Sequence, residues 1–194
     1  MADAPANSVH PLTRQEWRAW LEVDHLRPKG VWFISYKKAT GKPQVTYDEA
    51  VEEALCFGWI DSKPNKLDEA RSQLWFAPRK PKTGWSKPNK ERVERLMAAG
   101  LMAPAGLAKV EAAKRDGSWN ALDAVEALEI PADLALAFEQ YPSAQENFEA
   151  FPRSVKRGIL EWISIAKKPE TRTKRIEETA QLAAQNIRAN QWRK

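Results

Sequence analysis

The sequence predicts an α+β protein: a small antiparallel sheet of about three strands packed with helices, followed by an α-helical C-terminal region. Three observations predict it. Strand-like runs, Val31–Tyr36, Trp59–Lys66 and Ser72–Ala77, all lie in the first 77 residues. From about residue 89 onward, apolar residues recur only at helical spacing. Helix-start signals of the S/T-x-x-E type stand at Thr13, Thr46 and Ser143, each ahead of such a stretch.

In chain order, Thr13-Arg14-Gln15-Glu16 opens the first helix, and Trp17, Trp20 and Leu21 follow on one face. Pro28 and Gly30 end that unit. Val31–Tyr36 is β-branched and aromatic and reads as a strand. Ala39–Pro43 is a turn-rich loop. Thr46–Glu49 opens the next helix, whose apolar face is Ala50, Val51, Ala54, Leu55 and Phe57, with Gly58 as the residue after its C-cap. Two strands follow, with Asp68-Glu69-Ala70 near their turn. Pro78, Pro81, Gly84 and Pro88 forbid regular structure through most of 78–88.

The helical part begins with Val93, Leu96 and Met97, ending at Gly100, then Leu107, Val110 and Ala113 between Pro104 and Gly117. Pro131 starts a helix through Phe138, and Ser143 caps a short one to Phe151. Val155, Ile159, Trp162, Ile163 and Ala166 form an amphipathic stripe. Pro169 occupies a first helical position, ahead of Ile176, Ala180, Ala183 and Ile187. The expected organisation is a disordered leader (1–11), an α+β domain (12–120) and a helical region (121–194).

Composition narrows the function classes. The 194 residues are 43% apolar and 29% charged, an ordinary globular balance able to bury a core. Most of the nine tryptophans must be core or pocket walls. A single cysteine excludes an internal disulfide, and no stretch reads as a signal peptide or a membrane span, so a cytoplasmic protein is expected. The net charge of +5 is uneven: residues 62–95 and 152–175 each carry +6, while 117–150 holds seven Asp/Glu and no Lys or Arg. The basic segments suit an anion or nucleic acid, or neutralise the acidic middle.

Catalytic motifs are absent. Two histidines and one cysteine cannot build a Cys/His zinc site. No phosphate-binding loop, dinucleotide fingerprint or nucleophile elbow is present. No metal or cofactor is expected, and no catalytic residue is assigned. Cys56, at the C-terminal end of its helix, reads as a small buried hydrophobe.

The informative residues lie around two segments. In a strand, Trp59 and Asp61 share a face, and a carboxylate beside an indole can titrate or clamp a ligand. Asp61 would otherwise pair with Lys63 or an arginine of the next strand. The loop Phe76–Lys87 interleaves cations with aromatics: Arg79 and Lys80 can hold an anion, Trp85 can stack, and Ser86 can cap the helix that follows. Trp59, Asp61, Arg79, Lys80, Trp85, Ser86 and Asn89 are therefore the candidate pocket for a small anionic or aromatic ligand. Alternatively, Trp85 packs and the lysines are merely solvated. Nucleic-acid binding or a protein-adaptor role for the helical tail are the alternatives.

The segments TRQEWRAWLEVDH, GVWFISYKKATGKPQVTYDEAVEEALCFGWIDSK, LWFAPRKPKTGWSKPNKERVERL, GLMAPAGLAKVEAAKRDGSW and FPRSVKRGILEWISIAKKPETRTKRIEETAQL, in this order, resemble the bacterial YdeI/OmdA family, labelled bacteriocin-protection or OmpD-associated. The resemblance covers nearly all of residues 12–188, most specifically EALCFGWIDS and FAPRKPKTGWSKPN. It implies a role in resisting antimicrobial peptides through outer-membrane partners, and no particular reaction or catalytic set. The positive net charge does not favour capture of cationic peptides by the chain itself.

Overall fold

The computed structural model describes residues 3–191. The chain divides between Asn120 and Ala121 into two compact units.

The first unit carries a four-stranded sheet and four helices. Its strands are β1 (Ser8–Val9), β2 (Val31–Tyr36), β3 (Trp59–Lys66) and β4 (Arg71–Pro78), in the order β1-β2-β4-β3. The β2, β4 and β3 pairings are antiparallel, as the hydrophobic runs predict, and β1 lies parallel to β2. The sheet thus has one strand more than expected, and it comes from the segment expected to be a disordered leader. Asn7 explains the difference: its carbonyl accepts from Trp32 N, its Nδ2 donates to Gly30 O at 2.7 Å, and its Oδ1 accepts from Arg27. A two-residue strand is too short to show an alternation in sequence. Residues 1–2 of that leader lie outside the described residues.

The helices are α1 (Arg14–Asp24), α2 (Tyr47–Cys56), α3 (Lys87–Ala98) and α4 (Pro104–Asp116), with a 3-10 turn at Lys38–Thr40. Thr13 caps α1, and its partner Glu16 reaches one residue further back, to Leu12 N. Thr46 and Glu49 make the full reciprocal box at α2. One sheet face packs on α1 and α2. Trp17 stands edge-on to Phe33 and against Phe76, and its indole donates to Ala50 O at 3.0 Å, so its one polar atom is satisfied in the core. Each such large side chain contributes about 1.5–3 kcal/mol on burial. Gly58 follows the α2 C-cap at φ 76°, as its position in the sequence predicts. Gly106 lets α4 touch α2: a Cβ there would lie 2.2 Å from Cys56 O. Met97 differs from expectation, because only Val93 and Leu96 of its helix are buried.

The second unit is helical: α5 (Asp123–Glu126), α6 (Ala132–Glu139), α7 (Ala144–Ala150), α8 (Arg153–Ser164) and α9 (Pro169–Ala184). Leu134, Phe148, Ile159, Ile163 and Ala180 form its core. Its basic segment neutralises its acidic one: Arg157 pairs with Glu126 at 2.8 Å and Arg172 with Asp133 at 2.7 Å. Ser143 does not cap α7. It sits at φ 62°, and an N-cap hydroxyl reaches the first turn only from extended backbone. Ile187 lies beyond α9 and is exposed.

Candidate functional site

The first unit has an open cleft of about 940 Å³ where the sheet outruns its helices. Strand register builds it. Phe33 lies opposite Leu74 and Ser35 opposite Ser72, so these four share the face that packs on α1 and α2. On β3, Asp61 lies opposite Phe76 and Pro64 opposite Leu74, a spacing of three against two. The resulting bulge at Ser62–Lys63 turns both Asp61 and Pro64 to this same face. Regular alternation would have sent Pro64 to the other side. Pro64 also lacks a donor, which an edge strand such as β3 tolerates. The walls are the first turn of α2, with Thr46, Tyr47 and Ala50, and the connection carrying Lys37, Lys38, Gln44 and Val45.

The cleft combines an apolar floor with a few placed polar groups, the usual make-up of a small-molecule site. Phe33, Val45, Ala50, Pro64 and Leu74 supply the floor. Tyr47 donates its phenol to Asp61 Oδ2 at 3.1 Å. Partial burial, then the Asp61 charge, raises the Tyr47 pKa, so the phenol keeps its proton and stays a donor. At the rim, Lys37 Nζ donates to the carbonyls of Asp68 and Glu69, both at 2.9 Å, and Lys66 pairs with Glu69. Ser35 Oγ donates to Val45 O at 3.2 Å, tying the connection to β2.

A second, much smaller cavity of about 60 Å³ lies under the loop after β4, lined by Arg79, Lys80, Lys82, Thr83, Trp85 and residues of α4 including Lys109 and Asp116. Arg79 is 5% exposed. Its guanidinium lies 3.7 Å from the Trp85 ring centre, and Trp85 is tilted against Trp119 at 5.0 Å. Nη2 donates to Thr83 O at 3.2 Å and to Gly84 O at 2.6 Å, while the buried Nε has no protein acceptor. Burial alone pulls the Arg79 pKa down to about 10, which leaves the group charged at neutral pH.

The seven residues singled out in the sequence are therefore not brought to one cavity. Asp61 lines the cleft, with Tyr47 as its partner instead of Lys63 or an arginine. Arg79, Lys80 and Trp85 line the small cavity. Trp59 shares Asp61's face but is core: it is 1% exposed, its indole donates to His25 O at 2.8 Å, and it stands edge-on to Trp20. Ser86 is the N-cap of α3 without a side-chain capping bond, and Asn89 accepts from Arg92 at 3.1 Å; neither lines either cavity. The reason for the split is the helix side of the sheet. Near Trp59 it is filled by α1, and it opens only beyond Asp61. Tyr47 is the residue that sequence reading missed. Its signal is available in hindsight, as an aromatic at the first position of a capped helix, where the side chain faces outward past the sheet.

Many cations of the basic 62–95 segment have acidic partners within the same unit. Arg71 pairs with Asp68 at 2.8 Å, Arg92 with Asp48 at 2.5 Å and Arg95 with Glu52 at 3.2 Å. Burial, then Glu53, pushes the Cys56 thiol up to about 11, so it is no nucleophile at neutral pH. No helix among the described residues is long and apolar enough to cross a membrane.

No curated protein and no solved structure matches the chain. Two family models do, and they divide the resemblance seen in the sequence. The OmdA family, described as Bacteriocin-protection, YdeI or OmpD-Associated, matches residues 127–186, within the helical unit. The EALCFGWIDS and FAPRKPKTGWSKPN segments fall outside that match and inside the other. Over residues 9–109, just over half its length and the part that supplies the cleft and most of the small cavity's lining, the chain belongs to the family described as Domain of unknown function (DUF8412).

Proposed function

We propose that the first unit binds a small molecule with a flat apolar or aromatic body and an anionic end, and that this binding serves the bacteriocin-protection role named in the OmdA description. The observation that carries the reading is the cleft itself: about 940 Å³, apolar at its floor, with the Tyr47–Asp61 pair on one wall and Lys37, Lys38 and Lys66 at the rim. The volume suits a molecule of cofactor or drug size. The apolar floor supplies affinity through buried area. Asp61 Oδ1 accepts a donor of the ligand while Oδ2 holds Tyr47, and the rim lysines attract its anion. A cytoplasmic location is part of this proposal.

The probe is 1-anilinonaphthalene-8-sulfonate, which joins a flat aromatic body to an anion. One saturable site per chain is expected by fluorescence titration. Ser72→Trp fills the cleft from β4 and is expected to weaken that site at least about ten-fold, the effect of losing a few kcal/mol of buried contact, with an unchanged circular dichroism spectrum. Equal saturable binding by Ser72→Trp and the parent removes the cleft as the site.

A further inference from the structure

The small cavity under the 79–85 loop presents a separate problem of charge. A buried guanidinium without a counter-ion is unfavourable by several kcal/mol unless something compensates it. Here the compensation from the protein is incomplete. One nitrogen of Arg79 serves two backbone carbonyls, the Trp85 face takes the plane, and Nε–H has no protein acceptor. Burial lowers its pKa, and no carboxylate pairs with its guanidinium among the described residues.

The surroundings add to the imbalance. Lys80, Lys82 and Lys109 line the same cavity. The one carboxylate there, Asp116, is engaged by the backbone: Oδ1 accepts from Ser118 N at 2.9 Å and Oδ2 from Lys82 N at 3.3 Å. Lys82 holds a left-handed backbone, φ 57°, which brings its amide to that carboxylate. The residues that line these about 60 Å³, space for a group of a few heavy atoms, thus include four cations and one carboxylate.

We propose that this cavity is a binding site for a small oxyanion of the phosphate class, held by Arg79 Nε–H and surrounded by Lys80, Lys82 and Lys109. It is independent of the cleft. The oxyanion supplies the acceptor that Nε lacks and the counter-charge that the loop lacks, and it ties the loop to α4 through Lys109.

The test uses the full chain and inorganic phosphate at constant ionic strength, set by chloride. The Arg79 Nε–H resonance is followed by ¹H–¹⁵N NMR. Saturable movement of that resonance with phosphate, and none with chloride, is expected. The exposed variant Lys82→Ala does not endanger folding and is expected to weaken phosphate several-fold; Arg79→Lys keeps the charge but loses the fork and is expected to weaken it at least about ten-fold. Glycerol 3-phosphate titrated in parallel separates sources: tighter binding of the ester assigns the site to the terminal group of an organic phosphate, and equal binding to the free ion. If Nε–H is unmoved by both phosphates, or if Lys82→Ala and Arg79→Lys bind phosphate like the parent, the proposal is overturned.

Discussion

The first unit buries two charged side chains to a similar depth and treats them in opposite ways. Glu53 of α2, 3% exposed, receives Arg14 at 2.6 Å and Arg18 at 2.8 Å, one guanidinium on each carboxylate oxygen. Arg79 of the loop after β4, 5% exposed, receives two carbonyls and a ring. Glu53 ties α1 to α2, a structural use in which both charges are answered within the protein. Arg79 is answered only in part, at the wall of a cavity. The contrast teaches that depth of burial does not by itself separate structural charges from those available to a ligand; the completeness of the partner set does.

Four substitutions probe that contrast. The largest effect is expected where the two regions share a support, the packing of α4 on the end of α2. Gly106→Ala puts a Cβ 2.2 Å from Cys56 O, both on backbone that cannot easily give, and is expected to destabilise by about 3 kcal/mol or more. The urea midpoint reads it, and a loss below about 1 kcal/mol shows that α4 shifts freely and that its hold on the Arg79 cavity is loose. Next, Glu53→Ala removes the buried carboxylate that Arg14 and Arg18 share, leaving Arg14 with Glu52 and Arg18 with Glu22. The two arginine side chains are 35% and 30% exposed, which lets water answer part of the charge, so a loss of about 2–3 kcal/mol is expected, below that of a fully buried pair.

Arg79→Met is the complementary change. It keeps the stem over Trp85 and removes a charge that has no carboxylate partner. In phosphate-free buffer it is expected to shift stability by less than about 1 kcal/mol in either direction, because the freed Thr83 and Gly84 carbonyls lie in a loop that water can reach. A loss above about 2 kcal/mol makes Arg79 structural, like Glu53, and erases the contrast.

The smallest effect concerns a matched pair at the sheet end. The Arg71 guanidinium, with the amides of Arg71 and Ala70, holds the Asp68 carboxyl well below the usual carboxylate range. A carboxyl whose pKa is lowered on folding contributes stability above its ordinary value. That stability is lost as the pH falls from about 5 toward the depressed pKa. Asp68→Asn is therefore expected to flatten this acid limb in thermal melts, through a small loss of stability at neutral pH and almost none in strong acid. An unchanged acid limb assigns the loss to other carboxylates, such as Asp133 beside Arg172 and Glu49 in its capping box, whose pKa values are lowered in the same sense.

Local chemistry made much of the fold legible. Val31–Tyr36 and Trp59–Lys66 have the strand bounds that their composition predicts, and Thr46, Gly58, Gly100 and Gly117 punctuate the helices where expected, because caps and left-handed glycines act within a few residues of themselves. Ser143 shows the limit of such signals. Its motif is complete, but the turn from Tyr141 sets its backbone before the hydroxyl can reach the helix. The site was legible only as ingredients. Asp61, Arg79, Lys80 and Trp85 do line cavities, while Trp59, with the same strand parity as Asp61, is core.

By itself, then, the sequence determined the types and order of the longer elements, the α+β class with its helical end and the face shared by Trp59 and Asp61, all set by spacing along one strand or helix. Tertiary structure decided which stretch of that face the helices cover, that a bulge returns Pro64 to it, that Tyr47 rather than an arginine meets Asp61, and that Arg79 is buried without an acid. Those outcomes depend on register and on which elements pack together, contacts between residues tens of positions apart that no local pattern encodes.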